Sequence, residues 1–275
     1  MLTSLQNPLV KQIRKLHTAK ERREQQTFLL EGTHLIAEAC AVDYPLAVVC
    51  CTPEWQAANP LLWSSACSRS DRTEIVSAEV LKAMATTVQP DGIIATAQRH
   101  SKESQIPNSG LVLAIETVQD PGNLGTMIRA AAAAEAAGLW VSGDSVDLDH
   151  PKVLRASAGQ WFRLPMAVSP DLTTTVRESK KAGMQVVATL PSATATYWEV
   201  DWCKPTLILL GNEGAGLSPT LAAMADREVK IPLSPDVESL NVAIAAALML
   251  YEAQRQKTFR AFESSENNPT LDSLA

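Results

Sequence analysis

Three apolar, strand-like segments in the second half of the chain each end in a short polar string that contains glycine or proline. The strings are DPGNLGTMIR at 120–129, LLGNEGAGLS at 209–218 and IPLSPDVESLN at 231–241. Each string opens a helix-like run or lies just before one. Open α/β proteins bind their ligands at the carboxyl ends of strands. The strings therefore predict one composite site at one edge of a sheet, and they favour an enzyme.

The surrounding pattern predicts two α/β domains joined by a linker. The first, residues 1–100, alternates short strands and helices, beginning with one helix over 9–23. Residues 101–110 are polar, contain proline and glycine, and form the predicted linker. From 111 to 262 the alternation predicts a mostly parallel sheet with helices on both faces. Its last helix is expected over 239–258, with Ser239 as a candidate N-cap. Residues 263–275 are polar and acidic and are predicted to be a disordered tail.

Composition narrows the class of protein. The chain has 275 residues, 46% of them apolar, which is enough for a substantial core. Five cysteines without a C-x-x-C pair argue against a disulfide framework or a zinc site. The N-terminus has no signal-peptide pattern, and the longest apolar run, over 242–251, is too short to span a bilayer. We therefore expect a cytoplasmic protein with no membrane association.

Charge is distributed unevenly along the chain. Residues 1–30 contain six basic and two acidic groups, whereas the rest contains 18 basic and 28 acidic groups. A local basic stripe can neutralise phosphates whatever the net charge, because salt screens distant charges. The alternative, an ordinary solvated helix face, remains open for a charge run alone. The predicted RNA-binding residues are Lys11, Arg14, Lys15, Arg22 and Arg23.

Several polar residues in the three strings are poor choices for a core. Arg129 lies amid alanines on a helix that is otherwise apolar, which favours an anion or solvent as its partner. Glu213 stands between glycines just past a strand. Asn241 is a poor helix former placed at the start of the last helix. The chain has neither a G-x-G-x-x-G string nor a P-loop lysine, so a nucleotide-cofactor oxidoreductase is disfavoured.

Together the three strings resemble motifs 1, 2 and 3 of the SpoU (TrmH-like) family of RNA ribose 2′-O-methyltransferases, in the SPOUT superfamily. The resemblance covers roughly residues 110–258. The segments SLQNP at 4–8 and FLLEG at 28–32 also resemble the substrate-binding domain of ribosomal-RNA members. The family usually has glycine where this chain has Pro235, so the motif 3 loop is expected to differ in shape. The resemblance implies a deep C-terminal trefoil knot and an L30e-like N-terminal domain.

The resemblance also implies a reaction: transfer of a methyl group from S-adenosylmethionine to a ribose 2′-hydroxyl of RNA, most simply ribosomal RNA. No metal is implied, and a homodimer is. The alternatives are a non-catalytic RNA-binding protein on the same fold and transfer RNA as the substrate. The implied catalytic residues are Asn123, Arg129, Glu213, Ser239 and Asn241. The implied cofactor-binding residues are Leu210, Gly211, Ile231 and Leu240. A guanidinium is not readily deprotonated, so we interpret Arg129 as a clamp on an RNA phosphate.

Overall fold

Two separate β-sheets organise the chain. A computed structural model describes residues 1–99 and 106–266. Close contacts divide it into two compact units. Unit 1 comprises Met1–Glu103, Asp120–Arg129 and Val146–Arg163, and unit 2 comprises Ser104–Gln119, Ala130–Ser145 and Leu164–Ala275. The second half of the sequence thus contributes two segments to unit 1. Residue 100, residues 101–105 of the predicted linker and residues 267–275 of the predicted tail lie outside the described part.

The described helices and strands follow the alternation expected from the sequence. The first half contains α1 (Pro8–Lys15), α2 (Ala19–Gln25), β1 (Thr27–Glu31), α3 (Thr33–Ala41), β2 (Leu46–Cys51), α4 (Pro53–Ala58), α5 (Pro60–Cys67), β3 (Ser70–Ile75), α6 (Ala78–Met84) and β4 (Ile93–Gln98). The second half contains β5 (Leu111–Ile115), α7 (Pro121–Ala133), β6 (Gly138–Ser142), α8 (Pro151–Ala156), β7 (Met166–Ser169), α9 (Leu172–Lys181), β8 (Gln185–Thr189), β9 (Thr206–Leu210), α10 (Pro219–Ala222), β10 (Arg227–Val229) and α11 (Val242–Glu266). Short 3₁₀ turns occupy Gln160–Phe162 and Tyr197–Glu199.

Unit 1 is built around a four-stranded sheet in the order β1-β4-β2-β3. Only the β2–β3 pair is parallel. Both faces of the sheet are buried, because neighbouring residues such as Cys50 and Cys51 belong to different apolar clusters. Residues of α1 and α6 cover one face, whereas α3 and α5 cover the other. This two-sided packing explains why β1, β2 and β4 are mainly apolar runs, whereas the edge strand β3 is polar and largely exposed.

The N-terminal basic segment differs from the sequence prediction. The expected helix over 9–23 is wrong in its continuity, because α1 ends before Leu16 and α2 begins after Thr18. The Thr18 hydroxyl accepts a hydrogen bond from the backbone N–H of Glu21 and caps the new helix. Leu9, Ile13 and Leu16 recur at the spacing of one helix face, and all three are buried. The break matters because it changes which basic residues face solvent.

Unit 2 is built around a six-stranded parallel sheet in the order β10-β8-β9-β5-β6-β7. The order reverses between β5 and β9. After β5 the chain moves outward to β6 and β7, and it then returns on the far side to β8. Such a switch point is where an open parallel sheet places its ligand crevice. The first two of the three strings follow the two strands at this point.

The last helix begins later and ends later than predicted. It runs from Val242 to Glu266, eight residues beyond the expected end at 258, and includes the first four positions of the predicted tail. Within the described residues, no helix is both long enough and apolar enough to cross a membrane. Ile106 of the predicted linker is buried and packs against the apolar core of unit 2. The described part of the predicted linker therefore already packs against the core of unit 2.

Candidate active site

The first string begins with a tight turn that starts α7. The Asp120 carboxylate accepts hydrogen bonds from the backbone N–H groups of Gly122, at 2.6 Å, and Asn123, at 3.0 Å. The Asn123 N–H is the main cause that lowers the Asp120 pKa below its usual value. Asp120 therefore stays ionised and satisfies N–H groups that the first turn of a helix leaves unpaired. This turn fixes Asn123 at the beginning of α7.

The buried face of α7 packs closely on α8. A Cβ added to Gly125 would lie 2.5 Å from the Ala156 Cβ and 2.7 Å from the Val153 carbonyl oxygen. Only glycine allows the two helices to approach this closely. Arg129 lies one turn further along α7 and is exposed. Within the described residues we find no ion pair or side-chain hydrogen bond of Arg129, so its guanidinium can bind an external anion.

The second string forms a loop that folds back on the end of β9. Leu210 is buried, and a Cβ on Gly211 would lie 2.1 Å from the Gly216 carbonyl carbon. Asn212 and Gly216 exchange two backbone hydrogen bonds of 3.0 Å, and Gly216 has a positive φ of 71°. Glycine is therefore required at 211 for space and is favoured at 216 for its backbone angle. The loop leaves Glu213 exposed at its tip.

Side chains of this loop reach the segment that precedes the first string. The Glu213 carboxylate accepts a hydrogen bond of 3.5 Å from the backbone N–H of Gln119. The Asn212 amide donates to the Thr117 carbonyl oxygen at 2.7 Å, and its own carbonyl oxygen accepts from the N–H groups of Gly214 and Ala215. The loops after β5 and β9 are thus tied together at the switch point. Asn212 lies inside the second string but was not among the predicted site residues.

The third string runs from Ile231 to Asn241 without regular structure. Ser239 is exposed, and its predicted capping role is wrong. The N-cap is Asn241, whose side-chain oxygen accepts from the N–H groups of Ala243, at 2.9 Å, and Ile244, at 3.4 Å. An asparagine just outside the helix satisfies orphan donors, which explains a residue that is unfavourable inside one. Asn241 therefore has a structural task besides any role in the reaction.

Three of the four predicted cofactor-binding positions have unused backbone groups. Within the described part of the chain, Gly211, Ile231 and Leu240 make no backbone hydrogen bond, whereas the Leu210 carbonyl oxygen accepts from the N–H of Glu116. Gly211 directly follows β9, Ile231 comes shortly after β10, and Leu240 lies just before α11. Free N–H and C=O groups on irregular backbone suit a ligand that is recognised through the main chain, whatever the side chains are. The free backbone donors and acceptors at these positions are therefore compatible with S-adenosylmethionine bound through the main chain.

The predicted catalytic residues are divided between the two units. Asn123 and Arg129 belong to unit 1, whereas Glu213, Ser239 and Asn241 belong to unit 2. Among the described residues, no group of three or more histidine, cysteine, aspartate or glutamate side chains is arranged to hold a metal ion. A polar cleft of about 490 Å³ lies in unit 2 beyond β5, β6 and β7, and Thr117 and Ser218 are among its lining residues. Its Asp144 carboxylate is already bonded to Ser142 and Thr117.

One of the predicted RNA-binding residues is buried. Arg22 is 1% exposed, and its guanidinium contacts Asp147 at 2.9 Å and Asp149 at 3.2 Å. Its prediction as an RNA ligand is therefore wrong. The two aspartates lie 125 and 127 positions further along the chain, where local sequence patterns give no warning of the contact. Arg23 is 60% exposed and shares Asp147, whereas Lys11, Arg14 and Lys15 are exposed as expected.

Comparison with known proteins finds one match in each half of the sequence. Residues 110–251 match the SpoU rRNA methylase family, and these residues contain all three strings. The chain belongs to the SpoU rRNA methylase family. Residues 7–95 match the MRM3-like substrate-binding domain. The family expected from the three strings and the N-terminal resemblance are both confirmed.

Relatives of this SpoU family member match nearly its whole length. An uncharacterised tRNA/rRNA methyltransferase of Synechocystis is 46% identical over 93% of this chain and 94% of its own. The 23S rRNA (guanosine(2553)-2′-O)-methyltransferase RlmP of Bacillus subtilis is 35% identical over 91% and 97%. The crystal structure of an AdoMet-bound rRNA methyltransferase from Sinorhizobium meliloti superposes with a TM-score of 0.83 at 33% identity, covering 92% and 97%.

Proposed function

We propose that this chain transfers a methyl group from S-adenosylmethionine to a ribose 2′-hydroxyl of ribosomal RNA, and that it does so in the cytoplasm, where this RNA is found. One observation supports the proposal most directly. Hydrogen bonds of Glu213 and Asn212 connect the loop after β9 to the segment after β5, at the switch point of the sheet, within the residues that match the SpoU family. The names of the relatives supply the substrate class.

Backbone groups of unit 2 hold the cofactor. Leu210 ends β9 and directs the chain into the loop, while Gly211, Ile231 and Leu240 offer main-chain donors and acceptors. When bound, S-adenosylmethionine supplies an electrophilic methyl group on a sulfonium. The protein's own task is then to align the ribose oxygen with that methyl, which can contribute up to about 7–11 kcal/mol in well-oriented systems.

Arg129 acts on the RNA. Its exposed guanidinium binds a backbone phosphate, and the phosphate or a water molecule accepts the proton of the 2′-hydroxyl. The planar fork of arginine suits two parallel hydrogen bonds to one phosphate. In this scheme Asn123, Glu213, Ser239 and Asn241 position Arg129 and the ribose.

Replacement of Arg129 tests this assignment. Purified protein is mixed with labelled S-adenosylmethionine and a 23S rRNA transcript, and methyl incorporation is counted. Arg129→Lys keeps the charge and loses the fork, so methylation should fall strongly while cofactor affinity by calorimetry stays nearly unchanged. Near-normal turnover of Arg129→Lys would contradict the clamp. Loss of cofactor binding would place Arg129 in the cofactor site. Absence of methylation by the wild-type protein would contradict the proposed function.

The exposed basic residues of α1 and α2 are proposed to bind RNA backbone. Lys11, Arg14 and Lys15 face solvent on α1, and Arg23 does so on α2. Replacing the first three with alanine should reduce the slope of log affinity against log salt by about 0.7–0.9 per lost phosphate contact. Cofactor affinity should not change. An unchanged slope would show that these residues form an ordinary solvated helix face and do not contact RNA phosphates.

The protein is proposed to be a homodimer formed through α11. Met249 is buried in the protomer as core packing requires, but other apolar residues of the helix are exposed. The exposed set is Ile244, Leu248, Tyr251, Phe259 and Phe262. Their spacing follows one side of the helix, and a stripe of this size is unusual on a monomer. Sedimentation should give a dimer, and Tyr251→Glu should give monomers. A monomeric wild type would contradict the proposal.

Two finer features of the fold are also proposed. The segment that follows β9 forms a deep trefoil knot, and unit 1 has an L30e-like fold. Support for the knot comes from the match of residues 110–251 to the SpoU family, and the strand order is compatible with it. An experimental structure traced through residues 206–258 tests the knot, and a continuous unthreaded path would contradict it.

A further inference from the structure

The exposed face of α7 is polar and leads from Arg129 toward the start of the helix. The residues Leu124, Met127 and Ile128 are buried, whereas Thr126 and Arg129 are exposed. Gly122, Thr126 and Arg129 follow one another at intervals of four and three residues, so they share one face of the helix. This face therefore has a cation, Arg129, toward the end of α7 and a residue without a side chain, Gly122, at its beginning.

A second cation occupies the space beside that glycine. A Cβ on Gly122 would lie 3.3 Å from the Lys152 Cε and 3.4 Å from its Nζ. Lys152 belongs to α8 and lies in unit 1 together with the exposed face of α7. Its side chain is 52% exposed. The ammonium group is thus held next to the first turn of α7 and remains open to solvent.

The ion pair between Lys152 and Asp120 can give way to a contact between Lys152 and a phosphate. Its Nζ lies 3.4 Å from the Asp120 Oδ2, and both side chains are about half exposed. Exposed ion pairs of this geometry contribute little to stability. The other oxygen of Asp120 is engaged by the backbone at the start of α7, so the carboxylate stays in place without the lysine. Lys152 can therefore bind a phosphate while the turn remains intact.

The spacing of the two cations suits a nucleic-acid backbone. Seven residues separate Gly122 from Arg129, a rise of about 10 Å along the helix. Lysine and arginine are long and flexible, so the two head groups can adjust to phosphates that follow one another on a strand. We propose that Lys152 is a second phosphate ligand, which together with Arg129 directs the RNA strand along the exposed face of α7. This inference rests on the proposed function.

The test compares two lysines with similar ion pairs. Lys152→Gln removes the proposed contact and Lys152→Arg keeps the charge. Lys204→Gln is the matched control, because Lys204 is 64% exposed and lies 3.9 Å from Asp201. Affinity for a short fluorescein-labelled single-stranded RNA is measured between about 50 and 200 mM salt. Between these two salt concentrations, the fold-loss of RNA affinity should be about threefold smaller for Lys152→Gln than for wild type. Lys152→Arg and Lys204→Gln should show the same fold-loss as wild type.

Kinetics give a second measurement with 23S rRNA transcript and labelled S-adenosylmethionine. Lys152→Gln should raise the KM for RNA more than it lowers kcat, and Lys152→Arg should restore the KM. An unchanged salt dependence and KM in Lys152→Gln, or an equal change in Lys204→Gln, would overturn the proposal. If the wild type binds RNA with the predicted Lys152 dependence and transfers no methyl group, the proposed function fails and the phosphate contact stands.

Discussion

Replacement of Arg22 should destabilise unit 1 far more than replacement of its neighbour Arg23. Arg22→Met keeps the length of the apolar stem and removes the guanidinium from two aspartates that are 8% and 4% exposed. Removing one partner of a buried ion pair costs about 3–5 kcal/mol. Each aspartate retains another arginine, Arg23 on Asp147 and Arg99 on Asp149, so we expect the lower end, about 3 kcal/mol.

The matched variant is Arg23→Met, which removes a guanidinium 60% exposed and 2.6 Å from the same Asp147. An exposed pair contributes about 0–1 kcal/mol. Chemical denaturation followed by tryptophan fluorescence, and thermal melting, measure both variants. A loss of about 3 kcal/mol corresponds to a shift in Tm of roughly 6–12 °C. Equal losses for the two variants, or weaker RNA binding by Arg22→Met at unchanged stability, would refute the structural role of Arg22.

Three further predictions concern packing, pH and capping. Gly125→Ala places a methyl group 2.5 Å from Ala156. Overpacking of about 1–3 kcal/mol should exceed the gain in helix propensity of about 1 kcal/mol, so melting should show a net loss, and unchanged stability would contradict the close packing. Burial lowers the pKa of His150, so its contribution to stability is complete above its unfolded pKa of about 6.5 and is lost as pH falls below that value. Lowering the pH from about 7.5 to 5.5 should therefore reduce the free energy of unfolding more in wild type than in His150→Asn, which keeps a capping side chain. Chemical denaturation at each pH measures this quantity, and an equal loss in both proteins would exclude the histidine as the cause. Asn241→Ala should cost about 1 kcal/mol through the lost cap and Ser239→Ala less than about 0.5 kcal/mol, and the reverse order by denaturation would restore Ser239 as the cap.

Local patterns in the sequence determined the strands and the positions of the three strings. The strands Thr27–Glu31 and Leu46–Cys51 are short, mainly apolar runs bounded by turn residues, a pattern that predicts buried strands. The order of the strings along the chain also determined the family, because each combines glycine, needed for backbone shape, with polar residues that a core does not need.

Only the tertiary structure decided the roles of individual polar residues. Arg22 and Arg23 are neighbours of the same type, yet one is buried because Asp147 and Asp149 approach it from a distant segment. The proximity of Lys152 to the start of α7 likewise depends on two helices packing through Gly125. The periodicity of a sequence reports which face of an element is apolar. It contains no information on which remote carboxylate meets a given cation, and that contact decides whether the cation supports the fold or faces the RNA.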